Sequence, residues 1–128
     1  MVSISQNPVG VLTVDDSAQF LDAARELVAM TGGFRLIGEA GSGEEGLAAA
    51  RRLSPDLVLL DVRMPGMDGI ETARRLSAAD PRVVIFLVSA NDPADAPHGF
   101  RSCGAATFVR KQDLAPRILR RLWATHGA

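Results

Sequence analysis

The chain has 128 residues, of which 47% are apolar and 23% charged, and its formal net charge is −1. This length fits one domain with a substantial core, and the composition is globular rather than disordered. The small net charge gives no electrostatic footprint for nucleic acid or for a membrane surface. A lone cysteine, Cys103, excludes an intrachain disulfide framework and favours a reducing compartment. Since no apolar stretch approaches the ~20 residues of a membrane span, we expect a cytoplasmic protein.

Short apolar runs alternate with segments of helical periodicity along the chain. The runs that predict strands are residues 9–14, 34–39, 57–61, 83–88 and 107–109. The segments that predict helices are residues 17–30, 42–53, 68–76, 94–103 and 114–123. This alternation predicts a doubly wound α/β domain, a parallel sheet with helices on both faces. We expect the domain over residues 9–124, between tails at 1–8 and 125–128.

Two of these helices carry local signals of their own. Pro97 and Gly99 make the segment 94–103 a poor helix, so we expect it to be short, distorted or mobile. Asp113 is a candidate N-cap for the last helix, and Pro116 is tolerated in the first turn of that helix.

Polar residues stand where several of the predicted strands end. Asp15 and Asp16 follow the first strand, Asp61 ends the third, Ser89 follows the fourth, and Lys111 comes just after the fifth. The carboxyl ends of parallel strands meet at one edge of the sheet, where such folds bind ligands. Three carboxylates there would repel one another, and Mg²⁺ with its preference for oxygen ligands would neutralise them best. The lysine and the serine hydroxyl suit an incoming phosphoryl group.

Asp61 is the candidate reactive group at this edge. It ends an uninterrupted apolar run, 57–60, which predicts a central strand buried on both faces. A carboxylate beside a divalent cation and a lysine can act as a nucleophile toward phosphorus, which gives an aspartyl phosphate. The other interpretation is that Asp61 is only a loop or helix-capping residue. No histidine or cysteine has the spacing for a metal site at this edge, which disfavours zinc.

Four short motifs, taken together, resemble the receiver domain of two-component response regulators. They are Asp15-Asp16-Ser17, the run from Leu60 to Gly69, Ser89-Ala90, and Phe108-Val109-Arg110-Lys111. The resemblance extends from Val9 to Trp123, and it implies a flavodoxin-like, five-stranded parallel sheet with strand order 2-1-3-4-5. It also implies a signalling domain that is not an enzyme, although it assists its own phosphorylation and dephosphorylation.

The resemblance assigns roles to the residues of the acidic edge. Asp61 would accept a phosphoryl group from a phosphohistidine on a sensor histidine kinase or a histidine phosphotransfer protein. Asp15, Asp16, Asp61 and the backbone carbonyl of Arg63 would bind Mg²⁺, with Asp15 acting directly or through water.

Four further positions take family roles in recognition and switching. Ser89 and Lys111 would contact the phosphoryl oxygens, Phe108 takes the position of the switch aromatic, and Asn91 would help to set the lifetime of the phosphorylated state. One departure is Gln112, which stands where the family often has a proline with a cis bond.

The resemblance implies partners as well. The signal would pass to a downstream target protein or to an output domain, and a phosphorylation-dependent homodimer could form through the fourth helix, fifth strand and fifth helix. No direct contact with nucleic acid or with a membrane is expected of this domain.

Two other functions fit part of the sequence. The run from Gly41 to Gly46 matches G-x-G-x-x-G, which is typical of dinucleotide-binding enzymes, but Glu44 and Glu45 would face the pyrophosphate. Those residues fit a helix-capping box at Ser42 better. An aspartyl-phosphate phosphatase fits poorly, because Arg63 stands where a second acid is needed. A phosphate-independent protein-interaction module also stays open.

Overall fold

A computed structural model describes residues 7–92, 94 and 96–127. Its five strands are β1 (Val9–Val14), β2 (Phe34–Ala40), β3 (Leu57–Asp61), β4 (Val84–Ser89) and β5 (Thr107–Arg110). Its four α-helices are α1 (Ala18–Ala29), α2 (Gly43–Leu53), α3 (Gly69–Ala79) and α4 (Pro116–His126). All strand pairs are parallel, and the sheet order is β2-β1-β3-β4-β5. The predicted doubly wound fold with order 2-1-3-4-5 is therefore confirmed.

Polar side chains fix where three of the helices begin. Ser17, Ser42 and Asp68 are the N-caps of α1, α2 and α3, and the side chain of each accepts a hydrogen bond from the backbone N–H three residues later. These bonds satisfy N–H groups that have no partner within the helix. The cap predicted at Ser42 is confirmed.

The strand β3 separates two apolar clusters, because its successive side chains point to opposite faces of the sheet. Val58 and Leu60 belong to the cluster with residues of α2 and α3, whereas Leu57 and Leu59 belong to the cluster with residues of α1 and α4. All four side chains are fully buried. The burial of β3 on both faces confirms the prediction of a central strand, and it fixes the position of Asp61 at the end of that strand.

The connection between β4 and β5 differs from the other crossovers. In the described part of 94–103, the chain forms a 3-10 turn at Phe100–Ser102 and no α-helix. Pro97 and Gly99, whose φ is 90°, account for this irregularity. Residues 93 and 95 of this connection lie outside the described residues, as do residues 1–6 of the predicted N-terminal tail and residue 128.

The prediction that Asp113 caps the last helix is wrong. The N-cap of α4 is Ala115, without a side-chain hydrogen bond, and Pro116 begins the helix. Asp113 instead ends a 3-10 turn, Lys111–Asp113, where its carboxylate accepts a hydrogen bond of 3.1 Å from Arg110 Nε. The fixed φ of proline selects the first helical position, and this leaves Asp113 too far upstream to act as a cap.

Among the described residues, no helix is both long and apolar enough to cross a membrane.

Candidate functional site

The residues predicted for the site come together at the carboxyl edge of the sheet. Asp15 directly follows β1, Asp61 and Ser89 end the neighbouring strands β3 and β4, and Lys111 directly follows β5. The strand register is level there, since Asp61 pairs with Val88 and so ends beside the residue before Ser89. The geometry therefore brings polar groups from four strands to one pocket.

Three carboxylates form the acidic part of this pocket. Asp15, Asp16 and Asp61 each offer an oxygen, and these oxygens lie within 4.8 Å of one another. Asp15 is fully buried and Asp61 is 6% exposed, whereas Asp16 is exposed. Oxygen donors with one open side fit Mg²⁺, which binds one or two carboxylates and keeps several waters. No histidine or cysteine belongs to this group in the described part of the chain.

Lys111 provides the positive charge within the pocket. Its Nζ lies 2.7 Å from Asp15 Oδ2 and 3.7 Å from Asp61 Oδ1, and its side chain is only 21% exposed. Charges so little hydrated interact much more strongly than they would in water. The ammonium group therefore partly neutralises two buried carboxylates at once.

The environment of Asp61 makes its carboxylate unusually basic. Burial, and after it the negative charge of Asp15, raise the pKa of Asp61 to about 6. Lys111 and a backbone hydrogen bond from Arg63 act in the opposite direction. At neutral pH the group is still largely ionised, and a more basic carboxylate is a better nucleophile.

Ser89 has a free donor at this edge. Its buried Oγ accepts a hydrogen bond of 3.0 Å from the backbone N–H of Asn91, and this leaves the hydroxyl hydrogen to donate elsewhere. Asn91 itself is exposed. The two residues are therefore coupled through the backbone turn that follows β4.

The loop after Asp61 returns close to the strand that it leaves. Gly69 N–H donates a hydrogen bond of 2.8 Å to the carbonyl of Val62, and Gly66 has a φ of 75°, which favours glycine. A methyl group on Gly69 would collide with the carbonyl oxygen of Asp61. Glycine at this position thus lets α3 begin directly beside the acidic residue.

Phe108 lies on β5, three residues before Lys111. It is partly buried on β5, and its ring meets Phe100 edge-to-face with 5.4 Å between the ring centroids. The guanidinium of Arg101 lies 4.9 Å from the centroid of Phe100. The predicted switch aromatic is therefore packed against the irregular connection between β4 and β5.

One contact of the pocket was not predicted from the sequence. The ring centroid of Phe20 lies 4.4 Å from Lys111 Nζ. The apolar spacing of α1 identifies Phe20 only as a residue on the side that faces the core. Its neighbour is 91 positions away in sequence, so no local pattern could reveal the contact.

The glycine-rich run before α2 serves packing and capping. Side chains on Gly43 and Gly46 would crowd Thr72 and Val14 respectively. Glu45 Oε1 accepts the backbone N–H of Gly41 at 3.0 Å, so this donor is not free for a phosphate. The run thus lacks the open anion cradle of a dinucleotide site.

Comparison with known families gives a match over most of the chain. The model of the family described as "Response regulator receiver domain" matches residues 11–122, which is most of the chain.

Among curated proteins, the chain is similar to the nitrate/nitrite response regulator protein NarL of Escherichia coli (strain K12), with 38% identity over 126 residues. That alignment covers 97% of this chain and 56% of the relative. The response regulator GacA of Pseudomonas aeruginosa is 34% identical over 103 residues, which cover 80% of this chain and 48% of the relative. The chain thus spans about half the length of these curated relatives.

Solved structures agree with the same assignment. The signal receiver domain of NarL from Mycobacterium tuberculosis superposes with a TM-score of 0.80 at 28% identity, over 91% of this chain and 98% of that one. CheY in the CheX-CheY-BeF3-Mg complex from Borrelia burgdorferi gives 0.80 at 29% identity, over 92% and 89% of the two chains. The sequence match, the sheet order and the acidic pocket lead to one conclusion: this chain belongs to the response regulator receiver domain family of two-component systems.

Proposed function

We propose that the domain, over residues 9–124, accepts a phosphoryl group on Asp61 from a phosphohistidine of a sensor kinase or phosphotransfer protein. The observation that supports this best is the position of Asp61 Oδ1, which is nearly buried and 3.7 Å from Lys111 Nζ within a cluster of three carboxylates. A purely structural aspartate has no need of two further acids beside it. A cytoplasmic location stays a prediction.

The proposed transfer forms one bond and breaks another. A carboxylate oxygen of Asp61 attacks the phosphorus, a new O–P bond forms, and the P–N bond to the donor imidazole breaks with its electron pair left on nitrogen. Negative charge spreads over the equatorial oxygens in the transition state. The ammonium of Lys111 and the hydroxyl of Ser89 would stabilise those oxygens.

The side chains of Asp15, Asp16 and Asp61, whose oxygens lie within 4.8 Å of one another, would hold Mg²⁺, and the family resemblance adds the backbone carbonyl of Arg63 as a ligand. The bound ion would supply positive charge for the phosphoryl oxygens. Because Asp16 is exposed, there is room beside it for water and for the phosphoryl donor. The carboxylate of Asp15 would interact both with the metal ion and with Lys111.

The signal would leave the pocket through Ser89 and Phe108. A phosphoryl group on Asp61 adds charge and acceptor oxygens, Ser89 moves toward it, and Phe108 takes up the space left behind. Because Phe108 packs on Phe100, this motion would reach the connection between β4 and β5. A target protein, an output domain or a second copy of the domain would read the change there, and Asn91 would help to set its duration.

The test is intact mass spectrometry after incubation with acetyl phosphate and Mg²⁺. The wild type should gain one phosphoryl group that is labile at alkaline pH, and Asp61→Asn should gain none. Asp22→Asn is a matched control, since it makes the same chemical change at an exposed α1 residue outside the carboxylate cluster. An unmodified wild type, or an equal adduct on Asp61→Asn, would overturn the proposal.

A phosphate-independent interaction module is the second candidate function. It would be favoured if beryllofluoride with Mg²⁺, a mimic of the phosphoryl group, also left the thermal stability of the wild type unchanged. The proposal expects a clear rise in the melting temperature, since a ligand that binds only the folded state stabilises it.

A further inference from the structure

The contact between Phe20 and Lys111, which was not predicted, closes a circuit of four interactions around the pocket. Asp15 Oδ1 accepts the backbone N–H of Ser17 at 2.8 Å, and Ser17 Oγ accepts the backbone N–H of Phe20 at 3.2 Å. The ring of Phe20 lies 4.4 Å from Lys111 Nζ, which returns to Asp15 Oδ2 at 2.7 Å. Each of the four residues in this circuit therefore contacts the next one.

The circuit fixes the orientation of the first turn of α1 relative to β5. Ser17 is the N-cap of α1, so its two hydrogen bonds tie the helix start to the buried carboxylate of Asp15. This tie sets the direction in which Phe20 leaves the helix. The Phe20 side chain is itself partly buried.

An aromatic face suits this position for a chemical reason. The lysine side chain has four flexible carbons and loses much rotamer freedom when its ammonium is held in one place. The face of an aromatic ring attracts a cation without removing its charge and without accepting its N–H hydrogens in strong bonds. The ammonium therefore keeps its full charge and its donors for carboxylate and phosphoryl oxygens.

We propose that Phe20 is a positioning residue, which holds the ammonium of Lys111 over Asp15 and Asp61 by a cation–π contact. This proposal rests on the proposed function, because it concerns the rate at which Asp61 takes up a phosphoryl group. It gives α1 a direct part in the chemistry, through a side chain that is neither an acid nor a phosphate ligand.

The kinetic test compares variants of Phe20 in phosphorylation by acetyl phosphate at saturating Mg²⁺. Phe20→Leu keeps an apolar side chain but removes the aromatic face, and the rate should fall about two- to fivefold. Phe20→Tyr, which keeps an aromatic face, should have about the wild-type rate. Phe34→Leu is the matched control: Phe34 starts β2 at the opposite edge and packs on Trp123, so the same substitution there should leave the rate unchanged.

A graded test keeps the size of the ring nearly constant. Phenylalanines with one, two and three fluorine atoms at position 20 weaken the negative face step by step, and the rate should fall in the same order. Equal rates for all of these rings, or a rate for Phe20→Leu equal to that of the wild type, would overturn the proposal.

A spectroscopic test separates this proposal from the phosphorylation chemistry. In the unphosphorylated wild type, the ring current of Phe20 should shift the NMR signals of the ε-methylene protons of Lys111 upfield. Phe20→Leu should abolish the shift and Phe34→Leu should preserve it. If the wild type accepts no phosphoryl group, the proposed function fails, and the NMR result alone decides whether Phe20 holds Lys111. A Lys111 signal with no ring-current shift would overturn the proposal.

Discussion

At the scale of single residues, Asp61 links the chemistry of the pocket to the stability of the domain. Its pKa is raised by burial and by Asp15 to about 6 in the folded protein, from an ordinary value of 3.8. The folded state therefore binds the proton more tightly than the unfolded state. As a result, the ionised Asp61 lowers the stability of the folded domain at pH values above about 6. This loss of stability decreases as the pH falls below 6 and is gone below about pH 3.8.

We predict that Asp61→Asn stabilises the metal-free domain above about pH 7, by up to roughly 3 kcal/mol. The gain should shrink between about pH 6 and pH 4, because Asp61 becomes protonated in the folded wild type over this range. Urea denaturation of both proteins in the presence of a chelator measures the difference. Equal stability at neutral pH would show that Lys111 fully compensates the buried charge.

A second residue-scale prediction concerns the glycine at the start of α3. Gly69→Ala should destabilise the domain by about 1–3 kcal/mol, since the added methyl would meet the carbonyl of Asp61 and force the backbone to shift. Gly32→Ala is the control, because a methyl there would have no atom within 4 Å. Thermal denaturation of both variants is the measurement, and a Gly69→Ala protein as stable as Gly32→Ala would contradict the close approach.

At the scale of elements, the aromatic pair of Phe100 and Phe108 packs at the connection between β4 and β5, whose described residues form no α-helix. Phe100→Ala should cost about 1–3 kcal/mol, because it removes both apolar contact and the edge-to-face geometry. Amide exchange over residues 100–108 should accelerate in the same variant. Phe100→Leu, which keeps most of the apolar volume, should show a smaller effect on both measurements. A Phe100→Leu protein equal to the wild type would mean that the aromatic geometry contributes nothing, and one equal to Phe100→Ala would mean that the retained apolar volume contributes nothing.

The same elements show why some of the structure follows from sequence. The strand β3 is predictable because four consecutive apolar residues have one stable environment, a sheet covered on both faces. The cap at Ser42 is predictable because it depends on a neighbour three residues away. Strand ends then locate the acidic pocket, since parallel strands deliver their carboxyl ends to one edge.

Other features depend on contacts between distant segments. The cap assigned to Asp113 fails because Arg110 competes for its carboxylate and Pro116 determines where α4 begins. The contact of Phe20 with Lys111 requires α1 and the end of β5 to be adjacent, and no local spacing encodes that. The periodicity of apolar residues therefore predicts the helices and strands. Contacts between side chains of different elements can be identified only once the fold is known.

At the scale of the whole molecule, we expect the two ends of the strands to respond differently to a ligand. Binding of beryllofluoride with Mg²⁺ should slow amide exchange at the carboxyl ends of the strands, over residues 15–17, 62–69, 89–92 and 111–113. The turns at the opposite edge, over residues 54–56 and 80–83, should keep their exchange rates. Hydrogen exchange with mass spectrometry checks this, and uniform protection across both edges would indicate general tightening instead of a local site.

The pairing of Lys111 with Asp15 affects whether the phosphoryl donor can approach before a metal ion is bound. Without a bound cation, three carboxylates and one ammonium give the pocket a net charge of −2. This charge repels a dianionic phosphoryl donor. A divalent ion balances those charges, whereas a monovalent ion leaves one uncompensated. If Mg²⁺ binds here as proposed, it removes the electrostatic repulsion of the donor, and we expect the domain to be phosphorylated only when metal and donor are both present.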